Sequence, residues 1–134
     1  MNLALDEVLL DSLESGRAGE TLRFWESPVP FVVLGVSQTL ADHADEAACA
    51  ELGVPILRRC SAGGAVLQGP GCLNFTLILT YDAHPEIGAI RSSYKYILGR
   101  ITDRLSERGV AAKLAGTSDL AVGDMKFSGN AQRR

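Results

Sequence analysis

The sequence predicts an α/β (α+β) fold, because patterns typical of helices and of strands both recur along it. Residues 1–15 and 90–105 place apolar side chains every three to four positions, the period of an amphipathic helix. Residues 31–36 and 72–81 are instead short runs rich in apolar and β-branched side chains, as strands are. At 134 residues, the chain is long enough to form one hydrophobic core.

The composition is that of an ordinary globular protein, with 46% hydrophobic and 22% charged residues. A net charge of −3 provides no general basic field, so neither nucleic acid nor a membrane is predicted as a partner. Three cysteines without CxxC spacing and two distant histidines form no metal-cluster pattern. The N-terminus lacks the features of a signal peptide, and scattered thiols suit a reducing compartment. We therefore expect a cytoplasmic protein.

The first helix, over residues 1–15, is predicted to end at Gly16, since glycine readily takes the left-handed conformation at a helix C-terminus. Its apolar positions are expected to form one buried stripe and its acidic positions the opposite face. The stripe comprises Leu5, Val8, Leu9 and Leu13. The acidic face comprises Asp6, Glu7, Asp11 and Glu14.

The middle of the chain is predicted to alternate short strands with helices. The run at 31–36 is apolar throughout, so we expect it to be a buried central strand. Glycines and prolines separate most of the elements. The other predicted strands are 21–26, 54–59, 65–68 and 72–81, and the predicted helices are 42–52 and 90–105, the last ending before Gly109.

The segment 58–74, RRCSAGGAVLQGPGCLN, places two arginines before four glycines. Glycine allows the backbone to approach a ligand closely, and the arginine fork suits carboxylate or phosphate. A tight turn with both arginines in solvent is the simpler alternative. The segment lacks the GKS or GKT ending of a phosphate-binding Walker loop. It is therefore a candidate anion-binding segment of another kind.

A β-hairpin is predicted over residues 119–128, with Gly123-Asp124 as a type II′ turn. The predicted register pairs 122 with 125, 121 with 126, 120 with 127 and 119 with 128. Because strand side chains alternate, Lys126 should then point away from the core beside Asp119. The face expected to meet the core comprises Leu120, Val122, Met125 and Phe127. Ala121 and Ser128 are expected to share the face of Asp119 and Lys126.

Together, the glycine segment, the hairpin motif GTSDLAVGDMKFSGNAQRR and the opening NLALDEVLL resemble the lipoate–protein ligase A family. This family belongs to the superfamily of biotin and lipoate ligases and lipoyl or octanoyl transferases. The resemblance implies a mixed, mostly antiparallel sheet flanked by helices, as in class II aminoacyl-tRNA synthetases and biotin ligases. It implies one catalytic domain over residues 1–134, incomplete because family members continue beyond Arg134.

The implied chemistry is activation of lipoate by ATP, with Mg²⁺ in the substrate complex, to lipoyl-adenylate, followed by transfer to a lysine of a lipoyl carrier domain. The resemblance assigns the catalytic role to Lys126 and implies that Asp119 either holds Mg²⁺ or orients that lysine. It expects the glycine segment and Lys126 to form opposing walls of the pocket. The implied binding residues are Arg59, Ser61, Gly63, Gly64, Ala65, Val66, Leu67, Gln68, Asn74, Asp119, Ser128 and Gly129.

Three positions depart from the family pattern. Ala62 replaces the first member of the usual triple glycine, which matters only if that residue needs a positive φ. Gln68 stands where several ligases carry histidine, which puts a nucleotide contact there in doubt. Ser118 replaces a common asparagine before Asp119.

Other readings remain open. An octanoyltransferase would move octanoate from acyl carrier protein through a cysteine thioester, without ATP, but the family's nucleophilic cysteine resembles positions beyond this chain. Cys60 and Cys72 are interpreted as packing residues, since cysteines are commonly buried and unreactive. A truncated acyl-binding homologue, or one subunit of a split ligase, is the non-catalytic alternative. Biotin ligase fits less well, because that branch's basic glycine-arginine repeat is absent.

Overall fold

The computed structural model describes residues 2–134, so Met1, which was included in the first predicted helix, lies outside the described residues. The described residues form two compact units, one of residues 2–78 with Gln132–Arg134 and one of Leu79–Ala131. The elements of the first unit are α1 (Asn2–Glu14), β1 (Thr21–Trp25), β2 (Phe31–Leu34), α2 (Leu40–His43), α3 (Glu46–Glu51), β3 (Ile56–Arg58), β4 (Val66–Gln68) and β5 (Asn74–Ile78). Those of the second are a 3₁₀ turn (Pro85–Gly88), α4 (Ile90–Ser106), β6 (Ala112–Ala115), β7 (Asp119–Val122) and β8 (Met125–Gly129).

The first unit contains two small sheets. In one, β2 lies between β3, which runs parallel to it, and β4, which runs antiparallel. In the other, β1 and β5 pair antiparallel over their full lengths. Phe31, Val33 and Leu34 are each at most 4% exposed, which confirms a buried central strand, but it covers only residues 31–34, and Val36 is 51% exposed. The mixture of helices with largely antiparallel strands agrees with the predicted fold class.

The predicted buried stripe of α1 is wrong at Leu5 and Val8, whereas Leu9 and Leu13 are half-buried. Leu5 and Val8 are 41% and 56% exposed, whereas Asn2 and Asp6 lie on the half-buried side of the helix. The reason is Arg23 of β1, whose guanidinium donates to Asp6 Oδ1 at 2.5 Å and also to the side chain of Asn2. A polar pair therefore occupies the inner side of α1, a contact that helical periodicity alone does not reveal.

Arg23→Ala is expected to lower the free energy of unfolding by about 1.5–3 kcal/mol, the usual value for hydrogen bonds to a charged group. The Arg23 and Asp6 side chains are each 16% exposed, so water cannot fully replace the lost bonds. Urea titration followed by circular dichroism measures the change. Arg104→Ala is the control, because the Arg104–Glu107 pair is exposed and should contribute under about 1 kcal/mol. Equal effects of the two substitutions would contradict the structural role of Arg23.

The helix predicted over 42–52 is two short helices, α2 and α3. Ala44 has φ −148° and ψ 142°, an extended conformation that ends α2. Asp45 then caps α3, its carboxylate accepting a hydrogen bond from Ala48 N at 2.9 Å. The predicted single helix is therefore interrupted at Ala44 and Asp45, where Asp45 caps the second helix.

The second unit packs α4 beside an antiparallel sheet in the order β6–β7–β8. Leu98 of α4 is 1% exposed, and so is Leu120 of β7. Ile90, the first apolar position of the predicted helix 90–105, is 55% exposed. The buried residue near this end is Ser93, whose hydroxyl donates to Ile90 O at 2.8 Å. Gly109 has φ +80°, as expected of a glycine after a helix.

Strand bounds also differ from the predictions. Residues 72–81 were predicted to be one strand, but only β5 within them is a strand, because the pairing with β1 ends there. Of the predicted strand 54–59, only β3 is formed, because the pairing with β2 ends there. Sheet β6–β8 includes a strand, β6, that was not predicted. Pairing partners decide where a strand ends, and a single sequence does not contain them.

Candidate functional site

In the first unit, the glycine segment is organised internally by Arg59. Its Nε donates to Ser61 Oγ at 3.1 Å, and its Nη2 donates to the carbonyl oxygens of Ala62 and Gly64, both at 2.9 Å. One guanidinium therefore spans the loop from residue 61 to residue 64. The simpler alternative of an arginine left in solvent does not describe Arg59.

Gly63 lies at the centre of this loop with φ +107°, a conformation that L-residues with a side chain rarely adopt. Ala62 needs no such conformation, since no non-glycine residue among those described has a positive φ. The departure from the family's triple glycine at Ala62 therefore imposes no backbone strain. Gly64 is exposed, and nothing lies within 4 Å of the position a side chain would occupy.

Beyond the loop, the chain enters β4 through Ala65, which is half-buried. Val66 and Leu67 are 41% and 68% exposed, which leaves both apolar side chains accessible to a ligand. The side-chain oxygen of Gln68 is buried and has no hydrogen-bond partner among the described residues. Asn74, at the start of β5, donates from Nδ2 to Cys72 O at 3.0 Å.

In the second unit, β7 and β8 form the predicted hairpin. Gly123 has φ +59° while Asp124 does not have a positive φ, as a type II′ turn requires. The pairs 122–125 and 121–126 are as predicted. The next pairs are Leu120 with Ser128 and Asp119 with Gly129, so the predicted pairs 120–127 and 119–128 are wrong. A β-bulge leaves Phe127 as an extra residue.

The bulge changes which side chains meet the core. Met125 and Phe127 are 76% and 51% exposed, so the prediction that they face the core is wrong. Leu120 and Ala121 are both buried, at 1% and 4%, although neighbouring strand residues point to opposite faces. Both faces of β7 are therefore buried at this point. Ser128 pairs with Leu120, so the prediction that it shares the face of Lys126 is wrong.

The expected proximity of Lys126 to Asp119 is confirmed. Lys126 Nζ lies 2.8 Å from Asp119 Oδ2, and the lysine side chain is 56% exposed. A side-chain carbon at Gly129 would lie 3.2 Å from both Cε and Nζ of Lys126. Glycine at this position thus leaves room for the lysine to lie across the strand. The hairpin holds one ammonium group, partly open to solvent, in a defined place.

Asn130 is a residue of this region that the sequence interpretation missed. Its Nδ2 donates to Ser118 O at 2.8 Å and to Ser128 Oγ at 3.2 Å, and its backbone N–H also donates to Ser118 O. These bonds close the open end of the β7–β8 hairpin. The signal available in the sequence was a polar residue directly after Gly129, within the hairpin motif.

The cysteines form no disulfide; Cys49 and Cys60 are half-buried and Cys72 is exposed. The neighbouring Cys60 side chain, together with Glu7, raises the pKa of Arg133 above its ordinary value. Arg133 Nη1 also lies 3.1 Å from Glu7 Oε1. The packing interpretation of Cys72 does not agree with its exposure.

Asp119 is the predicted candidate for holding Mg²⁺. Its carboxylate is already neutralised by Lys126, whereas Mg²⁺ is bound through one or two carboxylates together with substrate phosphates. Within residues 2–134, no three His, Cys, Asp or Glu side chains are grouped closely enough to hold a metal ion. The assignment of Mg²⁺ to Asp119 therefore stays a prediction. None of the helices in the described part of the chain is long and apolar enough to cross a membrane.

Comparison with known families identifies the class of protein. The sequence model of the lipoyl protein ligase A/B catalytic domain matches residues 1–134. The chain therefore belongs to the lipoyl protein ligase A/B catalytic domain family, which confirms the resemblance found in the sequence.

Curated relatives include both enzyme types that the sequence left open. The chain is 31% identical to lipoate-protein ligase LplJ of Bacillus subtilis over 132 residues, which is 98% of this chain and 38% of that protein. It is 32% identical to octanoyltransferase LipM of Moorella thermoacetica over 114 residues, 85% of this chain and 41% of that protein. The chain thus spans about two-fifths of the length of these relatives.

Solved structures confirm the fold. A lipoate-protein ligase A bound with ATP is similar with a TM-score of 0.82 and 26% identity, over 98% of this chain and 56% of that one. A bi-partite lipoate protein ligase from Thermoplasma acidophilum, studied with its E2 lipoyl domain, gives a TM-score of 0.85 at 24% identity, over 99% of this chain and 51% of that one. The predicted ligase-type fold is therefore correct.

Proposed function

We propose that the chain is the catalytic core of a lipoate–protein ligase, which converts lipoate and ATP to lipoyl-adenylate and transfers the lipoyl group to a lysine of a lipoyl carrier domain. The observation that carries the proposal is Lys126, held 2.8 Å from Asp119 in a chain of this catalytic family. The structural likeness to a ligase bound with ATP supports ATP as the activating substrate. We propose that Mg²⁺ accompanies the ATP phosphates.

Two displacements make up the proposed reaction. A lipoate carboxylate oxygen attacks the α-phosphorus of ATP, the bond to the leaving group breaks, and pyrophosphate departs. The carrier lysine amine then attacks the acyl carbon, the carbon–oxygen bond to AMP breaks, and the amine proton is lost to solvent. Negative charge develops on phosphate oxygens in the first step and on the carbonyl oxygen in the second.

Lys126 is assigned to those oxygens. An ammonium has three N–H donors, and the contact with Asp119 uses one of them. Asp119 keeps the ammonium in one orientation, so less reorganisation is needed when charge develops on the substrate. We assign Ser128 and Gly129 to shaping the strand that carries this lysine.

The glycine segment is assigned to ligand binding. Arg59 with Ser61 would hold the anionic part of the intermediate, and the backbone of Gly63, Gly64 and Ala65 would line the pocket. Val66 and Leu67 offer accessible apolar surface for an eight-carbon chain. Gln68 and Asn74 remain predicted contacts. The free cysteines are compatible with a cytoplasmic enzyme.

Octanoyl transfer is the second candidate, favoured by the 32% identity to an octanoyltransferase. It would take octanoate from acyl carrier protein and needs no ATP. The acceptor in either case is proposed to be a lipoyl carrier domain, the kind of partner studied with the Thermoplasma ligase.

Lipoate-dependent exchange of labelled pyrophosphate into ATP separates these candidates. The purified protein is expected to catalyse exchange with lipoate and to show none when lipoate is left out. Octanoyl transfer from acyl carrier protein to a lipoyl domain, measured by mass spectrometry, is the parallel assay. Transfer without any exchange would replace the ligase by the transferase, and acyl binding without either reaction would identify a non-catalytic homologue.

A further inference from the structure

We propose that the turn Gly35–Gln38 and the side chain of Arg58 position the glycine segment, and that they do so for binding of the acyl-adenylate. The role in acyl-adenylate binding rests on the proposed function, whereas the positioning of the loop rests on geometry alone. These residues act through Arg59 and Ser61 and through the backbone around Gly63, so they are positioning residues. All lie in the first compact unit.

The turn touches the glycine segment backbone to backbone. A side-chain carbon at Gly35 would lie 2.2 Å from Gly63 O, closer than real Cβ contacts come, and 3.2 Å from Gly63 C, which is also tight. Gly35 is itself buried, at the end of β2. Gly35 has no side chain, so its backbone can contact that of Gly63. Gly63 takes a positive φ at this contact.

The guanidinium of Arg58 binds backbone carbonyl groups of the turn Gly35–Gln38. Its Nη1 donates to Gly35 O at 2.8 Å and to Gln38 O at 2.7 Å, and a longer contact of 3.4 Å reaches Val36 O. The Gln38 side chain in turn accepts from Gly35 N at 2.8 Å. One guanidinium thus holds the carbonyl groups of the turn in a single arrangement.

Two backbone hydrogen bonds join this turn and the end of β2 to the predicted binding residues. Val36 N donates to Ser61 O at 3.0 Å, and Arg59 N donates to Leu34 O at 3.0 Å. A shift of the turn would therefore move both Arg59 and Ser61. The two adjacent arginines have different partners. Arg59 binds carbonyl groups within the loop, and Arg58 binds carbonyl groups of the turn after β2.

These contacts give Arg58 a different role from the one expected for the arginine pair. Arg58 was expected to supply positive charge for phosphate, but its guanidinium is directed to backbone carbonyl groups. Removal of the Arg58 side chain should therefore move the loop rather than remove a ligand contact. Lysine at position 58 can donate to the same carbonyl groups through a single nitrogen, so Arg58→Lys is expected to rescue what Arg58→Ala loses.

The test compares Arg58→Ala, Arg58→Lys and Gly35→Ala with the wild-type protein. Calorimetry measures the Kd of a non-hydrolysable sulfamoyl analogue of lipoyl-adenylate, and amide hydrogen exchange of unliganded protein measures the order of residues 61–66. Arg58→Ala and Gly35→Ala should raise the Kd at least tenfold and accelerate exchange in this segment but not in β6–β8. Arg58→Lys should restore the Kd to within threefold of wild type.

Two matched controls share the residue types. Arg17→Ala removes an arginine that contacts only a neighbouring serine among its described partners, and Gly19→Ala adds a methyl group where nothing lies within 4 Å. Both should keep wild-type Kd and exchange. Because Gly35→Ala is the variant most at risk of misfolding, Arg58→Ala decides if the two disagree.

The outcomes separate the two proposals. A wild-type protein that does not bind the analogue contradicts the proposed function, and the exchange data then still report whether the turn holds the loop. If the wild type binds but Arg58→Ala binds equally well with unchanged exchange, the positioning proposal is wrong. A tenfold loss that Arg58→Lys does not rescue would show that the guanidinium itself contacts the ligand.

Discussion

Lys126→Ala is expected to lower acyl transfer by about 10²- to 10³-fold, the usual cost of removing one group that stabilises charge in the transition state. The substitution should scarcely change stability. Its side chain is 56% exposed and its ion pair with Asp119 lies near the surface, where such pairs contribute about 0–1 kcal/mol. Turnover of a lipoyl domain, measured by mass spectrometry, and the thermal midpoint should be recorded on the same preparations.

Lys113→Ala is the matched control for this prediction. Lys113 lies in β6 of the same sheet, its side chain is 60% exposed, and its nitrogen lies 4.0 Å from Asp124 Oδ1. A general loss of positive charge would affect both variants, whereas a catalytic role affects Lys126 alone. Wild-type turnover by Lys126→Ala would remove this residue from the mechanism.

Leu120→Ala is expected to lower the free energy of unfolding by about 2–5 kcal/mol, the range for truncating a buried leucine. Leu120 is 1% exposed in the middle strand of its sheet, so the deleted carbons leave a cavity. Domains are commonly stable by about 5–15 kcal/mol, so this loss would be a large share of the total. Urea unfolding at constant temperature measures it.

Met125→Ala tests the corrected hairpin. The regular register predicted that Met125 and Leu120 both face the core, which would make the two substitutions similarly costly. In the structure Met125 is 76% exposed, so its truncation should cost no more than about 0.5 kcal/mol. A loss at Met125 comparable with that at Leu120 would contradict the exposed placement of β8.

The hairpin shows how far local rules extend. Glycine followed by aspartate predicted both the turn and the first two pairs, because turn geometry is set by a few neighbouring residues. The bulge at the third pair was not predictable, since an extra residue on one strand depends on what the sheet must accommodate. Lys126 nevertheless meets Asp119, because the bulge begins beyond its pair with Ala121.

The arginine pair shows the same limit. Adjacent arginines before glycines indicated that the loop would involve guanidinium groups, and Arg59 does bind the loop carbonyl groups. The sequence could not assign different partners to the two arginines. Gly35 lies 28 positions from Gly63 in the chain, and their contact exists only because β2 and β3 pair side by side.

The sequence by itself determined the fold class, the buried β2 strand, the family and the Lys126 hairpin, since each depends on residue type and spacing over a short range. The tertiary structure alone decided the inner side of α1, where Arg23 meets Asp6, the break between α2 and α3, and the exposed side of β8. It also decided the role of Arg58. These features depend on which distant backbone groups come together, and burial and hydrogen-bond pairing are set only when the strands have assembled.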